Sequence, residues 1–315
     1  MKVLLIDKNH DILKEKLLAN SFEISEDYTS SKSEIEQKIH EFDGIIIRSR
    51  IPVDSDFLDA AVNLKFIGRV GAGLENIDVT HAEKKNIKLY NAPEGNRDAL
   101  AEHCLGMLLH IMNRFGISNS EVQKGIWRRE ENRGEEIKGK TVALIGYGNM
   151  GKAFAQRLKG FETEVIFYDI LDNIEDENAR QTDMEEIFEK ADILSLHIPQ
   201  TPETFRMVNE TYLSKFKKSI YFLNTARGKA VVIKDLVRAL KSGKIKAAGL
   251  DVLEFEKSSF ESLNPHEIPE EMQFLNQAKN VLITPHIAGW THESKLKLAE
   301  VIAEKIIFDF SGFRE

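Results

Sequence analysis

Three glycines in the middle of the chain have the spacing of a dinucleotide-binding turn. The run that begins at Thr141 is β-branched and apolar, and Gly146, Gly148 and Gly151 follow it in a GxGxxG pattern. In this pattern the first glycine allows a tight turn, the second lets a pyrophosphate approach the backbone, and the third lets a helix pack on the strand. The predicted helix Asn149–Lys159 begins inside the motif, so its free N–H groups would hold the pyrophosphate.

An acidic residue follows the next predicted strand. Asp169 directly follows the strand predicted over Glu164–Tyr168. A carboxylate in this position binds the ribose 2′-hydroxyl group and would repel a 2′-phosphate. The sequence therefore predicts NAD rather than NADP as the cofactor. A glycine turn in another kind of βαβ unit is the alternative that the motif alone leaves open.

Polar residues follow later strands of the same series, which are predicted at Ser219–Leu223, Ala247–Leu250 and Val281–Ile283. Ligands of open parallel sheets bind beyond the carboxyl ends of the strands, so these loops are where chemistry is expected. The loop residues that are able to do it are Arg227, Glu254, Glu256 and His286.

These residue types fit hydride transfer from a secondary alcohol. Such a reaction needs a base for the hydroxyl proton, and the reference pKa of histidine, about 6.5, suits that task. A neighbouring glutamate would favour the imidazolium form and help the reverse, ketone-reducing direction. The planar guanidinium of an arginine binds a substrate carboxylate through two hydrogen bonds, and the cofactor performs the redox step. Taken singly, each residue also fits an ordinary loop histidine or a surface ion pair.

The composition sets limits on the function. A chain of 315 residues, 42% hydrophobic and 30% charged, is long enough for two domains. A net charge of −8 argues against nucleic-acid and anionic-membrane partners. The single cysteine, Cys104, cannot form an internal disulfide, and no cluster of residues suggests a metal site. No signal peptide or membrane span is recognisable, so we expect a cytoplasmic protein.

Short apolar runs alternate with polar-patterned stretches from the N-terminus onward, which predicts parallel sheets covered by helices. The first runs are Val3–Ile6, Gly44–Ile47, Lys65–Gly68 and Ile87–Tyr90. A long apolar-patterned helix is predicted over Asn96–Ile117, followed by a charged connector, Ser118–Lys138, without a clear period. The second series begins at Thr141, and a last amphipathic helix is predicted over Thr291–Phe310.

Several ordered motifs together resemble the family of D-isomer-specific 2-hydroxyacid dehydrogenases, and the resemblance covers nearly the whole chain. An ordered set is far more specific than any one motif. The segments that carry the resemblance are Val70–Asp78, Asn91–Asn96, Gly146–Gly151, His197–Pro202, Asn224–Gly228, Gly249–Glu256 and Thr284–Gly289.

The resemblance implies roles for individual residues. The family's catalytic trio falls on Arg227, Glu256 and His286, because the spacing after Asp251 selects Glu256 rather than Glu254. The positions that match the family's NAD contacts are Gly146, Gly148, Asn149, Met150, Gly151, Asp169, His197, Pro199, Thr225, Ala226, Arg227, Asp251, His286 and Gly289. The positions that match substrate contacts are Arg48, Arg69, Ala72, Gly73 and Arg227.

The resemblance also implies an α/β fold of two doubly wound parallel-sheet domains. A Rossmann NAD-binding domain, residues 96–289, would be inserted into a flavodoxin-like catalytic domain built from residues 1–95 and 290–315. Members of the family are typically homodimers, and residues 96–138 resemble the dimerisation helix and arm. The active site of the family lies in the cleft between its domains.

The expected substrate is a small anionic 2-hydroxy acid. Arg48 and Arg69 resemble the phosphate-facing arginines of D-3-phosphoglycerate dehydrogenases, which favours oxidation of D-3-phosphoglycerate to 3-phosphohydroxypyruvate, a step of serine biosynthesis. Lys257 departs from the family pattern, which usually has proline there, and the loop over residues 257–278 is long. No regulatory domain is expected after the last helix. The alternatives are a hydroxypyruvate or glyoxylate reductase and, more remotely, an NAD-sensing protein similar to corepressors.

Overall fold

The fold is built on two parallel sheets. The computed structural model describes residues 1–256 and 270–310, and these residues divide into two compact units. The first unit contains residues 1–97 and 290–310, and the second contains residues 98–256 and 270–289. Lys257 and most of the predicted long loop after Glu256 lie outside the described residues.

The strands are short, and most are apolar. In chain order they are β1 Lys2–Leu5, β2 Glu23–Glu26, β3 Gly44–Ile47, β4 Phe66–Arg69, β5 Lys88–Tyr90, β6 Thr141–Ile145, β7 Glu164–Tyr168, β8 Arg180–Gln181, β9 Ile193–Leu196, β10 Ile220–Asn224, β11 Ile245–Leu250 and β12 Val281–Ile283. Every residue of β3, β6, β9 and β10 is buried, as expected of central strands covered on both faces.

The helices lie between the strands in sequence, except α12, which follows the last strand. They are α1 Asp11–Ala19, α2 Lys32–Lys38, α3 Ser55–Ala60, α4 Val79–Lys84, α5 Pro93–Met112, α6 Phe115–Gln123, α7 Asn149–Leu158, α8 Met184–Lys190, α9 Glu210–Ser214, α10 Ile233–Lys241, α11 Glu271–Gln277 and α12 His292–Phe310. Side chains cap several of them: Ser31 and Glu34 form a capping box at α2, and Asp183 accepts a hydrogen bond from an N–H group of α8.

The sheet of the first unit has the strand order β2-β1-β3-β4-β5, with every pairing parallel. This is the flavodoxin-like order. Alternate strand residues belong to different hydrophobic clusters: Leu4 and Ile45 belong to one, whereas Val3 and Ile46 belong to the other. The second cluster includes the buried side of α12, so the C-terminal helix completes the core of the N-terminal sheet.

The sheet of the second unit has the order β12-β11-β10-β9-β6-β7-β8 and is also parallel. The strand order reverses beside β6, the strand that leads into the glycine motif, and open sheets bind ligands at such a switch point. Helix α10 illustrates the packing: Ile233, Leu236, Val237 and Leu240 form one buried face with helical spacing. Together the two sheets confirm the predicted fold class.

The structure corrects two predictions about the elements. The helix predicted over Asn96–Ile117 is two helices, α5 and α6, which are separated by a left-handed residue, Arg114, with φ of 57°. A residue in that conformation cannot continue a right-handed helix, and no glycine or proline marks the break in the sequence. The connector predicted over Ser118–Lys138 is accordingly helical up to Gln123.

Candidate active site

Three neighbouring strands of the second unit end at the same level. In the parallel register Asn224 of β10 lies beside Leu250 of β11, and Leu250 lies beside Ile283 of β12. The loops that leave these strand ends therefore start from one edge of the sheet. They contain Arg227, Glu256 and His286, in that strand order.

Glu256 and His286 are in direct contact. Oε2 of Glu256 lies 2.7 Å from Nδ1 of His286, and 12% of the glutamate side chain and 27% of the histidine side chain are exposed. The other carboxylate oxygen, Oε1, accepts a hydrogen bond from the N–H group of Leu253. An ionised carboxylate can only accept, so Nδ1 of His286 carries a proton, and in the neutral imidazole the lone pair is then on Nε2. The pair is thus arranged as an oriented base, with a carboxylate that stabilises the imidazolium form.

The neighbouring glutamate has a different partner. Oε1 of Glu254 accepts a hydrogen bond from the N–H group of Ile233, at 3.1 Å, and so satisfies a free donor at the start of α10. The structure therefore gives two glutamates of one loop separate tasks. This distinction supports the choice of Glu256 made from the family spacing.

The loop that carries His286 is held by Asp251. The carboxylate of Asp251 accepts hydrogen bonds from the N–H groups of Ile287 and Ala288, at 2.9 and 2.8 Å, while its backbone oxygen accepts one from the N–H group of His286. His286 itself has a φ of 55°, which is uncommon for a residue other than glycine. Such a conformation persists only where the surroundings fix it, and it is frequent at functional sites.

Arg227 lies in a loop that packs against the loop of Glu256. The side chain of Asn224 stabilises this loop through two hydrogen bonds of 3.1 Å. It accepts one from the N–H group of Ala226 and donates one to the backbone oxygen of Arg227. Nη1 of Arg227 donates to the backbone oxygen of Ala226 at 2.7 Å. A Cβ atom on Gly228 would overlap the backbone of Leu253, so the two loops touch directly.

The glycine motif has the shape that a dinucleotide needs. Gly146 has a φ of 92°, and a Cβ atom there would overlap the carbonyl group of His197. A Cβ atom on Gly151 would overlap the carbonyl oxygen of Gly146, so this glycine is required for close packing of α7. By contrast, the space beside Gly148 is open. Gly148 is also the N-cap of α7 and has no side chain to satisfy the free N–H groups, which is the arrangement of an anion site.

Asp169 lies at the end of β7, next to the glycine motif. Its carboxylate accepts hydrogen bonds from the N–H groups of Tyr147 and Leu171, at 2.7 and 3.0 Å. Asp169 is half-buried. The residues present therefore fit an adenosine ribose at this strand end, with Asp169 as the acceptor for a hydroxyl group.

The other residues predicted to contact the cofactor differ in their surroundings. Thr225 is buried, and its hydroxyl group contacts the thiol of Cys104 at 3.1 Å, so only its backbone remains for a ligand. Nε2 of His197 lies 3.0 Å from Oγ of Ser195, and burial lowers the pKa of its imidazole to about 3. His197 is therefore neutral at physiological pH. Asn149 and Pro199 are exposed, Met150 is half-buried and Ala226 is buried, while Gly289 ends the His286 loop.

In the first unit, the substrate-binding residues predicted from the sequence lie at two neighbouring strand ends. Arg48 and Arg69 lie at the ends of β3 and β4, and Nε of Arg69 donates to the backbone oxygen of Arg48 at 3.1 Å. The guanidinium of Arg69 lies against Gly71, where a Cβ atom would overlap it. Among the described residues no acceptor is paired with the N–H groups of Ala72 and Gly73. This segment is therefore able to bind an oxyanion.

Sequence reasoning missed two residues near these groups. The guanidinium carbon of Arg48 lies 4.4 Å from the ring centroid of Trp290, a cation–π contact. His103 contacts Thr284 in the loop of His286. The sequence signal that could have indicated Trp290 is its position directly after the predicted loop Thr284–Gly289. The sequence offered no signal for His103 beyond its place on a predicted helix.

Two features are absent from the part of the chain that the structure describes. Within it, no group of three or more His, Cys, Asp or Glu residues is placed to hold a metal ion. No helix in the same residues is long and apolar enough to cross a membrane.

A parallel sheet with a glycine turn at its switch point, and a histidine–carboxylate pair at its strand ends, belongs to a dehydrogenase that uses a nicotinamide dinucleotide. Comparison with known proteins narrows the class. Residues 105–288 match the family model described as D-isomer specific 2-hydroxyacid dehydrogenase, NAD binding domain. The chain belongs to this family and is an NAD-dependent oxidoreductase.

Individual relatives differ in the substrate that their names give. The chain is 35% identical to a glyoxylate reductase of Thermofilum pendens over 91% of this chain and 84% of the relative. It is 33% identical to a D-3-phosphoglycerate dehydrogenase of Archaeoglobus fulgidus over 98% of this chain but 57% of the relative. The chain thus spans little more than half the length of that dehydrogenase.

A solved structure gives the same picture of the fold. A D-lactate dehydrogenase of Aquifex aeolicus, in complex with NAD and lactic acid, is 27% identical to the chain and superposes with a TM-score of 0.82. The match covers 98% of this chain and 95% of the other. The comparisons therefore confirm the family and the cofactor that the sequence predicted.

Proposed function

We propose that the protein oxidises D-3-phosphoglycerate to 3-phosphohydroxypyruvate with NAD, a reaction of serine biosynthesis. The observation that carries the chemistry is the 2.7 Å contact between Glu256 and His286, which leaves Nε2 of the histidine as a base. The observation that favours a phosphorylated substrate is the pair of arginines, Arg48 and Arg69, at adjacent strand ends of the first unit.

The proposed roles follow from the chemistry of the side chains. His286 takes the proton of the substrate hydroxyl group on Nε2, and Glu256 stabilises the positive charge that results. Arg227 binds the substrate carboxylate and polarises the C2 carbonyl as it forms. When bound, NAD would supply the acceptor for the hydride that leaves C2 of the substrate. Proton and hydride thus leave the same carbinol group for different acceptors.

The cofactor would be held mainly by the glycine motif. The free N–H groups at the start of α7, with the open space beside Gly148, support pyrophosphate binding, and Asp169 supports ribose binding. Further contacts are proposed for the residues named by the family pattern. These are Gly146, Asn149, Met150, Gly151, His197, Pro199, Thr225, Ala226, Arg227, Asp251, His286 and Gly289.

The arginines of the first unit support binding of a phosphate group. Trp290 covers one face of the Arg48 guanidinium, which leaves its N–H edge for an oxyanion. By contrast, the guanidinium of the nearby Arg50 donates to the backbone oxygens of Ile6, Ser30 and Asp27, at 2.9, 2.5 and 3.0 Å, so it fixes the fold instead. This contrast supports Arg48 as the residue that binds substrate.

A second candidate is the reduction of glyoxylate or hydroxypyruvate. Its support is the relative from Thermofilum pendens, which is named a glyoxylate reductase and is covered over 84% of its length. The same histidine and glutamate would serve, because His286 as an imidazolium would donate the proton to the carbonyl oxygen. Only the roles of the residues proposed to bind the substrate phosphate, Arg48 and Arg69, would differ between the two candidates.

A spectrophotometric assay distinguishes the two candidates. The purified protein is given NAD with D-3-phosphoglycerate, D-glycerate or D-lactate, and NADH with glyoxylate or hydroxypyruvate, while NADH absorbance is followed. The proposal expects the highest kcat/KM with D-3-phosphoglycerate. Turnover of D-glycerate or of unphosphorylated oxo acids, without turnover of the phosphorylated acid, would select the second candidate.

A charge variant tests the phosphate site. Arg69→Ala and Arg48→Ala are each expected to lower kcat/KM for D-3-phosphoglycerate about tenfold more than for D-glycerate, since a charge-assisted hydrogen bond is lost. Lys65→Ala is the matched control. Lys65 precedes β4, at the opposite end of that strand from Arg69, and pairs with Asp43. Its removal changes the net charge by the same amount as the removal of either arginine. Equal losses on both acids would mean that the arginines are structural.

The assembly is proposed to be a homodimer formed through residues 96–138. Exposed apolar side chains lie in this stretch, on and after α6, and Trp127 is 77% exposed. Such side chains mark interaction surfaces when they are grouped. Further exposed apolar side chains in this stretch are those of Phe115, Val122 and Ile126. Sedimentation of the wild type as a dimer, and of Trp127→Asp as a monomer, is the expected result.

A further inference from the structure

Helix α5 contacts two of the active-site loops through consecutive residues. Nε2 of His103 lies 3.1 Å from Oγ1 of Thr284, which precedes His286 in its loop. The thiol of Cys104 lies 3.1 Å from Oγ1 of Thr225, in the loop of Arg227. Helix α5 thus contacts both loops, one at Thr284 and the other at Thr225.

The contact of His103 belongs to a chain of hydrogen bonds with a fixed direction. Oγ1 of Thr284 donates to Oδ1 of Asp251 at 2.5 Å, because an ionised carboxylate can only accept. Having given its one proton to Asp251, the threonine hydroxyl accepts from His103. Nε2 of His103 therefore carries a proton, and the chain runs from His103 through Thr284 to Asp251.

Asp251 is the end of this chain and the main support of the catalytic loop. Only 1% of its side chain is exposed, and its two oxygens also accept the N–H groups of Ile287 and Ala288. A buried carboxylate needs a full set of donors to keep one orientation. Nε2 of His103 lies 3.8 Å from the same carboxylate, so it also places a positive dipole or charge beside it.

We propose that His103 is a positioning residue for His286. It donates to Thr284, which donates to Asp251, and Asp251 holds the two N–H groups that follow His286 in the loop. His103 does not need to touch substrate or cofactor for this role. The inference rests on the proposed function of His286 as the base, because the effect of His103 on the rate is transmitted through that residue.

The backbone of His286 explains why such support matters. Its φ of 55° is a strained conformation that is kept only by surrounding contacts. If the donors of Asp251 are lost, the loop is free to relax toward ordinary backbone angles. The imidazole would then move relative to the reacting hydroxyl group, and small misplacements of a catalytic group reduce rates strongly.

The test is a double-mutant cycle on His103 and Thr284. His103→Leu removes the donor, His103→Gln offers a replacement N–H group, and Thr284→Val removes the link while keeping the shape. We expect His103→Leu and Thr284→Val each to lower kcat about tenfold, with KM for NAD changed less than about twofold. The double variant should be no slower than Thr284→Val alone, and His103→Gln should recover most of the rate.

The control variant is His110→Leu on the same helix. His110 packs edge-on against Phe115 and is not part of the hydrogen-bond chain formed by His103, Thr284 and Asp251, so its loss should leave kcat unchanged. Thermal unfolding of each variant separates loss of fold from loss of rate, and Thr284→Ala, which also removes the hydroxyl group, stands in if Thr284→Val does not fold.

Two results would overturn the proposal. One is that the losses of the single variants multiply in the double variant, which is the behaviour of two independent structural contacts. The other is that His103→Leu is as active as His110→Leu. His286→Asn is measured in parallel: if that variant keeps the wild-type rate, the proposed function fails instead, whatever His103 does.

Discussion

The carboxylate of Glu256 contacts Nδ1 of His286 at 2.7 Å, whereas Glu254, two residues earlier, contacts the start of a helix. This difference separates two glutamates that the local sequence does not distinguish. Replacing the first should therefore affect catalysis, and replacing the second should affect folding. Each expectation is measurable with a conservative amide variant.

Glu256→Gln is predicted to lower kcat/KM for the 2-hydroxy acid by about 10²-fold. The amide keeps the size of the side chain but loses the negative charge that stabilises the imidazolium, and an acid–base pair contributes on the order of 10²–10⁴-fold. Steady-state kinetics with NAD in excess give the value. A loss of less than threefold would mean that the pair is not part of the reaction.

Glu254→Gln is the matched control for that variant. Its amide oxygen can still accept the N–H group of Ile233, but the charge at the start of α10 is gone. A negative charge at a helix N-terminus contributes about 0.3–1 kcal/mol, so Tm should fall slightly while kcat/KM stays near that of the wild type. A catalytic defect equal to that of Glu256→Gln would contradict the separate roles.

The glycines of the dinucleotide motif are predicted to differ in their response to alanine. Gly151→Ala would push a methyl group into the carbonyl oxygen of Gly146, so the strand and helix must separate and Tm should fall clearly. Gly148→Ala has open space, so the fold should survive while NAD binding weakens, because the methyl group occupies the path of the pyrophosphate. Thermal unfolding and NAD titration by fluorescence measure the two effects. Wild-type NAD affinity in Gly148→Ala would place the pyrophosphate elsewhere.

The central strands could be predicted from the sequence because burial on both faces demands an apolar run. Predicted and observed bounds agree for the interior strands Gly44–Ile47 and Glu164–Tyr168. Strands β2 and β8 were missed, and both lie at an edge of their sheet. With the sequences EISE and RQ they carry polar side chains, and their pairing depends on a neighbour that is distant in sequence.

The site was predictable to a similar degree. Motif order predicted Arg227, Glu256 and His286 as site residues, and the parallel register explains why their loops, distant in sequence, begin at one edge of the sheet. The supports of those loops were not predictable, because a contact such as that of His103 with Thr284 joins residues separated by 181 positions. No periodicity or spacing rule connects such a pair. Local patterns thus predict candidate reactive groups, whereas the contacts that hold those groups are found only in the packed structure.

We predict that the cofactor preference depends on the charge of Asp169. Asp169→Asn is predicted to raise the ratio of kcat/KM with NADP to that with NAD by about tenfold, because a repulsion of the 2′-phosphate is removed. The asparagine oxygen can still accept the N–H group of Tyr147, so the glycine turn should stay in place. Kinetics with each cofactor, at saturating 2-hydroxy acid, measure the ratio. An unchanged ratio would show that another group excludes the phosphate.

His197 makes the stability of the second unit depend on pH in a direction that can be stated. Burial lowers the pKa of its imidazole from 6.5 to about 3, so the folded protein keeps it neutral over a range in which the unfolded chain binds a proton. Since the unfolded state binds more protons there, the contribution of His197 to stability is full above pH 6.5 and is lost as pH falls toward about 3. His197→Gln cannot take up that proton and keeps a polar group beside Ser195. The Tm of the wild type should therefore exceed that of His197→Gln by less at pH 4.5 than at pH 7, and calorimetry of both proteins measures the difference. A constant difference across this range would mean that the histidine titrates equally in the folded and unfolded states.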